Sequence, residues 1–137
     1  MKLSIIIVNY NGGNVLGSCL SSIYRETRDV DFEVVLVDNA STDRSVELVE
    51  KNFPNVSIIR NAQNRGFAAA NNIAIHKAAG EFILMLNADT EILDGAIQKT
   101  VAFMEGHPLV GIAGCKLVYP DRAEQPSVRG YPSVLSA

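Results

Sequence analysis

Four short polar clusters hold the side chains that could do chemistry. Asn9, Tyr10 and Asn11 follow the apolar run Ile5-Ile6-Ile7-Val8. Asp38 follows Val34-Val35-Leu36-Val37, and Asn64, Arg65 and Gly66 precede an Ala-rich segment. Asn87 and Asp89 close the run Phe82-Ile83-Leu84-Met85-Leu86. A carboxylate such as Asp89 can hold a divalent cation, which neutralises part of the charge of a nucleoside diphosphate. A carboxylate at Asp38 can accept a hydrogen bond from a pyrimidine imide N–H. In an extended chain, positions 87 and 89 share a side, so Asn87 could meet a sugar or ribose hydroxyl beside the metal. The plainer alternative for residues 87–90 is a strand end followed by a helix cap, since Asp-Thr is good turn chemistry.

Elements must bring these clusters together. Residues 2–8, 32–37, 56–59 and 82–86 are expected strands; the unbroken run Phe82–Leu86 predicts burial on both faces, and the continuous Ile5–Val8 a central parallel strand. Helical periodicity appears at Val15, Leu16, Cys19, Leu20, Ile23 and Tyr24. A second helix is expected to reach about residue 52, capped by Ser41 or Thr42, with Asp43 in its first turn. A third is expected over 67–79 and stopped by Gly80. A fourth starts at Asp94 or Gly95, with Ile97, Val101, Phe103 and Met104 as buried candidates. Residues 110–119 read as further strand, and residues after 120 as loop. Alternating strands and helices predict a parallel-rich α/β sheet. All four clusters then arrive at one edge, where open α/β sheets bind ligands.

Composition narrows the function. At 137 residues the chain is expected to be one domain. It is 47% hydrophobic and 20% charged, with a net charge of −3, which argues against nucleic-acid binding. No apolar run is long enough for a signal peptide or a membrane helix. Cys19 and Cys115 lack metal-ligand spacing and are expected to be core thiols in a reducing compartment. His76 and His107 are assigned surface or capping roles.

The common nucleotide motifs fail. Gly12-Gly13-Asn14-Val15-Leu16-Gly17-Ser18 is not a dinucleotide fingerprint, and it lacks the Lys of a phosphate loop. No nucleophile elbow occurs. A site built from carboxylates, amides and a metal survives.

Four motifs together resemble the inverting family 2 glycosyltransferases. They are Ile5-Ile6-Ile7-Val8-Asn9-Tyr10-Asn11, Val37-Asp38-Asn39-Ala40-Ser41-Thr42-Asp43, Asn64-Arg65-Gly66-Phe67-Ala68-Ala69-Ala70-Asn71-Asn72 and Leu86-Asn87-Ala88-Asp89-Thr90. The nearest likeness is to rhamnosyltransferase-like members. The resemblance covers essentially the whole chain and implies a GT-A fold, a Rossmann-like three-layer α/β/α arrangement with a mostly parallel sheet. It implies that residues 1–137 are the nucleotide-sugar-binding domain. It implies that Asn9, Tyr10 and Asn11 contact the nucleoside and that Asp38 reads the base. Asn64, Arg65 and Gly66 would close over the nucleotide, Asn87 would meet the ribose or donor sugar, and Asp89 would bind Mn²⁺ or Mg²⁺.

The implied partners are a dTDP- or UDP-sugar, dTDP-rhamnose among them, and a glycan or lipid-linked glycan acceptor. Homo-oligomerisation and peripheral membrane association are compatible with this reading. The implied setting is bacterial surface-polysaccharide synthesis in the cytoplasm, at the inner face of the membrane. The sequence departs from the family's Asp-x-Asp at Asn87, one negative charge fewer. No residue here is assigned as the general base, which is expected downstream of Ala137.

Other readings stay open. The chain could be a nucleotide- and metal-binding module that transfers nothing alone. A nucleotidyltransferase is disfavoured, because residues 9–14 hold no cation for a triphosphate. Locally, Asp43 and Ser41 are read as helix-capping residues. Arg65 is open between a solvated charge and a contact to the diphosphate or the base. Asp121 and Glu124 are read as surface charges.

Overall fold

The computed structural model describes residues 1–127 of the chain. The elements in order are β1 (Leu3–Asn9), α1 (Gly13–Glu26), β2 (Phe32–Asp38), α2 (Ser45–Asn52) and β3 (Ser57–Arg60). They continue with α3 (Phe67–Ile75), β4 (Phe82–Asn87), α4 (Ala96–Gly106), β5 (Leu117–Val118) and β6 (Glu124–Gln125). Four strands form a parallel sheet in the order β3-β2-β1-β4. β5 and β6 pair separately as an antiparallel ribbon.

β1 is one of the two inner strands, with β2, and the alternate residues of its β-branched run feed two cores. Ile5 and Ile7 pack with Leu16, Leu20 and Ile23 of α1, Val49 of α2, and Ile97 and Val101 of α4. Ile6, with Val35 and Val37 of β2, packs on Ala70 and Ala74 of α3. The layers are therefore α1, α2 and α4 on one face, the sheet, and α3 on the other. Each fully buried Ile or Leu contributes roughly 1.5–3 kcal/mol. The small side chains of α3 let its backbone approach the strands closely.

The α/β class and the mostly parallel three-layer sheet agree with the sequence. Several local expectations do not. β4 is not buried on both faces: Phe82, Leu84 and Leu86 turn to the α1 side, while Ile83 and Met85 are exposed. α3 is short and sits over β1 and β2, so the apolar run outlasts its cover. α3 also ends at Ile75 rather than 79. Gly80 is a close-approach glycine, not a helix stop: a Cβ there would lie 2.6 Å from the Leu3 carbonyl carbon and meet the Ser4 amide nitrogen.

The last third departs most. Phe103 is exposed and stacks on His107 with centroids 4.2 Å apart, rather than entering the core. Residues 111–116 form no strand, and only Leu117–Val118 of the expected segment pairs. Leu109 and Ile112 lie in solvent. Cys115 is exposed, so only Cys19 is a core thiol, and both are free. Apolar content alone cannot distinguish a strand from an extended segment when no neighbouring strand supplies hydrogen bonds.

Candidate functional site

The carboxyl ends of the sheet are level. Asn9 pairs with Asp38, Val8 with Asn87, and Asp38 with Arg60. Parallel strands lie about 4.8 Å apart, so Asp38 and Asn87 stand roughly 10 Å apart across β1. All four polar clusters therefore meet on one edge.

Asn9 is fully buried and works as a strut. Its Nδ2 lies 3.2 Å from Asp38 Oδ1, 3.0 Å from Ser41 Oγ and 2.9 Å from Ser45 Oγ. Its Oδ1 accepts the Gly12 amide at 3.1 Å. A Cβ on residue 12 would strike that same oxygen, which explains the glycine. Tyr10 projects into solvent beside it, 55% exposed. Asn11 sits in the left-handed region (φ 55°), where Asn is tolerated better than most residues. Its Oδ1 accepts the backbone amides of Thr42 at 2.8 Å and Asp43 at 3.3 Å.

Asp38 is almost buried, and its oxygens accept the Ser41 amide at 3.4 and 3.3 Å. Ser41 and Thr42 do not cap α2, which begins at Ser45. Asp43 serves that end instead. Its Oδ1 accepts from the Ser45 amide at 3.1 Å and from the Ser45 hydroxyl, and its Oδ2 accepts the Gly13 amide at 2.9 Å. The Ser45 hydroxyl, ahead of the backbone donors, holds this carboxyl below its ordinary range. Asp43 thus ties the starts of α1 and α2 together.

The loop before α3 is stitched by Asn39, which is 2% exposed. Its Oδ1 accepts from Asn61 Nδ2 at 3.0 Å and the Arg65 amide at 3.1 Å. Its Nδ2 donates to Asn64 Oδ1 at 3.0 Å and the Gly66 carbonyl at 3.3 Å. Gly66 adopts φ 77° and ψ 168°, a conformation that glycine takes without strain. Arg60 is committed to Glu50 at 2.7 Å, whereas Arg65 is exposed and forms no salt bridge among the described residues.

Asn87 and Asp89 are both exposed. The chain does not stay extended between them. It turns at residues 88–89, with the Thr90 amide donating to the Asn87 carbonyl at 3.1 Å. The same-side argument from strand alternation therefore does not apply. The far side of this loop is pinned by buried Ser22, whose Oγ accepts the Ile92 amide at 2.9 Å and donates to the Cys19 carbonyl at 2.7 Å. Cys19 Sγ lies 3.7 Å from the Asn87 carbonyl, and burial pushes its thiol pKa up to about 11.

Among the described residues no cluster of three His, Cys, Asp or Glu side chains could hold a metal alone. Mg²⁺ typically takes one or two protein carboxylates and completes its shell with phosphate oxygens and water. Asp89, exposed on an anchored loop, fits as such a single carboxylate. Asn39 and Ser22 were given no role from the sequence. The signal for Asn39 was its place inside the Asp38 motif; Ser22 carried none, being one serine in an amphipathic helix.

The model of glycosyl transferase family 2 matches residues 4–129. The chain belongs to this family. Among its relatives is the Staphylococcus aureus poly(ribitol-phosphate) beta-N-acetylglucosaminyltransferase TarS, 32% identical over 111 residues, 78% of this chain and 19% of TarS. The O-antigen biosynthesis protein RfbC of Myxococcus xanthus is 31% identical over 126 residues, 90% of this chain and 10% of RfbC. The solved structure of S. aureus TarS 1–349 with UDP-GlcNAc superimposes with a TM-score of 0.70 at 32% identity. That superposition covers 79% of this chain and 32% of the other. The mannosyltransferase PcManGT of Pyrobaculum calidifontis, with GDP-Man and Mn²⁺, gives 0.68 at 26% identity. There the coverage is 88% of this chain and 36% of the other. This family 2 chain thus spans about a third or less of these relatives. The GT-A arrangement expected from its motifs is the one observed.

Proposed function

We propose that this chain binds the donor in a glycosyltransferase that moves a sugar from a nucleoside-diphosphate sugar to an acceptor hydroxyl, with inversion at the anomeric carbon. The observation that carries the reading is the single level edge on which Asn9, Asp38, Arg65, Asn87 and Asp89 are assembled. Family relatives that hold UDP-GlcNAc or GDP-Man support it.

The proposed roles follow from position. Asp38, held by Asn9 and the Ser41 amide, accepts the imide N–H of a uracil or thymine base. Guanine also presents a ring N–H at N1 beside its exocyclic amine, so the carboxylate favours uracil, thymine and guanine over adenine or cytosine. Tyr10 and Asn11 flank the nucleoside. Arg65, with Asn64 and Gly66, closes over the nucleotide. Asn87 meets the ribose or donor sugar. Asp89 would hold Mn²⁺ or Mg²⁺, which when bound neutralises charge on the departing diphosphate. The acceptor hydroxyl must lose its proton to a carboxylate base, and we assign that base to none of the described residues.

The donor is proposed as a UDP- or dTDP-sugar, rhamnose included, and the acceptor as a surface glycan or its lipid-linked precursor. Relatives named for teichoic-acid glycosylation and O-antigen synthesis support that context. No described helix is long and apolar enough to cross a membrane. We place the reaction in the cytoplasm at the membrane face, where a lipid-linked acceptor would be reached.

Base ranking tests the reading. The chain and Asp38→Asn are titrated with UDP, dTDP, GDP and ADP in the presence of Mn²⁺. The expected outcome is a clear preference for the imide-bearing bases that narrows in Asp38→Asn. An identical ranking in both proteins would remove Asp38 from base recognition.

A further inference from the structure

We infer that Ser22 is a positioning residue for the proposed metal site: from inside α1 it pins the turn that carries Asp89. The inference rests on the donor-binding reading above. Ser22 is fully buried, so it acts through the loop and not on a ligand.

Residues 88–92 lie in no helix or strand, yet they carry the carboxylate assigned to the cation. α1 holds this stretch at two points. Cys19 Sγ lies 3.7 Å from the Asn87 carbonyl, the same oxygen that accepts the Thr90 amide at 3.1 Å and closes the turn. Further on, the Ile92 amide donates to Ser22 Oγ at 2.9 Å. Asp89 lies between the two tethers. Cys19 and Ser22 stand at i and i+3 on α1, so they present one face of the helix to the loop. Both are fully buried.

The residue type at 22 is demanding. Its hydroxyl donates to the Cys19 carbonyl at 2.7 Å, which leaves the lone pairs of the oxygen for the Ile92 amide. Alanine would fit the space but leave that buried N–H without a partner. The Ile92 side chain belongs to the same core as Leu16, Leu20 and Ile23. That burial keeps the loop against α1, but an apolar contact has no direction. The hydrogen bond to Ser22 is directional and orients the backbone that leads back to Asp89.

A metal feels such orientation strongly. Mg²⁺ asks for near-ideal octahedral geometry with oxygens at about 2.0–2.1 Å. The base-reading carboxylate is separate. Asp38 keeps its own partners, Asn9 and Ser41, and β1 stands between β2 and β4. Loss of the Ser22 hydroxyl should therefore lower what the metal adds to affinity, and leave metal-free binding and the ranking of bases in place.

The chain, Ser22→Ala and Cys19→Ala are compared by amide hydrogen exchange without ligand and by calorimetric affinity for UDP and ADP, with and without Mn²⁺. Melting temperature confirms that each protein is folded. In Ser22→Ala, exchange should quicken at the Thr90 and Ile92 amides and stay unchanged in β2. The factor by which Mn²⁺ strengthens UDP binding should fall threefold or more. Metal-free UDP affinity and the UDP-over-ADP ratio should change less than twofold. If Ser22→Ala fails to fold, Cys19→Ala, which removes the other tether, carries the comparison.

Unchanged exchange at Ile92 would overturn the tether. Faster exchange with an unchanged Mn²⁺ factor, or equal loss of affinity with and without Mn²⁺, would reduce Ser22 to a structural residue. Absence of nucleotide binding, or of any Mn²⁺ effect, in the unsubstituted chain would instead overturn the donor-site reading, and this proposal with it.

Discussion

Asn9 Nδ2 lies 3.2 Å from Asp38 Oδ1, and the two residues are in-register partners at the ends of β1 and β2. A buried carboxamide thus braces a nearly buried carboxylate where the strands release the chain. Asn9 also serves Ser41, Ser45 and Gly12, so its removal orphans several groups together. Asn9→Ala should cost roughly 1–3 kcal/mol, the penalty for a buried polar group left unpaired. Denaturant unfolding measures it, and a loss below about 0.5 kcal/mol, the range of an ordinary surface change, would contradict the strut role.

Asp43 predicts an acid-dependent term. Its folded carboxyl lies below the ordinary value of 3.8, first because the Ser45 hydroxyl donates to it, then because the Ser45 and Gly13 amides do. A depressed folded pKa means the unfolded chain takes up the proton first. The stabilisation is therefore complete above the ordinary value and is lost as pH falls through the folded one. The stability gap between the chain and Asp43→Asn should be constant near neutrality and close below pH 3.8. A gap independent of pH would show that the ionised form is not what ties α1 to α2.

Gly80 is constrained by space. A methyl group there would press on the backbone of Leu3 and Ser4, and backbone cannot move aside as a flexible side chain can. The site is further fixed by the Gly80 amide on Ser4 Oγ at 2.8 Å and the Ala79 amide on Glu33 at 2.8 Å. Gly80→Ala should destabilise by about 1–3 kcal/mol, as overpacking does. Thermal melting checks it, with Gly106→Ala, which meets nothing within 4 Å, as the comparison.

The two thiols should separate by reactivity. Cys19 is fully buried with its pKa pushed up to about 11, while Cys115 is exposed. Alkylation by iodoacetamide at pH 8, followed by peptide mass analysis, should modify Cys115 alone in the folded chain and both after unfolding. Labelling of Cys19 under native conditions would mean that the α1 face of β4 opens.

The edge that gathers the site was legible because strands β1, β2 and β4 announce themselves by apolar runs that stop on Asn9, Asp38 and Asn87. Parallel pairing then brings those stops level. The internal wiring was less legible. Asn9, expected from its position to contact the nucleoside, is also a buried brace for Asp38, which its position alone did not reveal. Asn39 stood unnoticed beside Asp38, since one sequence gives no sign of which of two adjacent polar residues turns inward. The span 110–119 failed for a different reason: its apolar content matched a strand, but strand formation depends on a neighbour. β4 shows the same lesson, since Ile83 and Met85 continue an apolar run beyond the reach of α3.

We propose that this edge binds a metal-bearing nucleoside diphosphate with Asp89 as the protein's carboxylate. Calorimetric titration of the chain and of Asp89→Ala with UDP, dTDP and GDP, each with and without Mn²⁺, tests it most directly. Because Asp89 is exposed, its removal should change stability by no more than about 0.5 kcal/mol. Saturable binding that strengthens with Mn²⁺ is expected in the chain, with that metal dependence lost in Asp89→Ala. Equal Mn²⁺ dependence in both proteins, or no binding of any nucleotide, would contradict it.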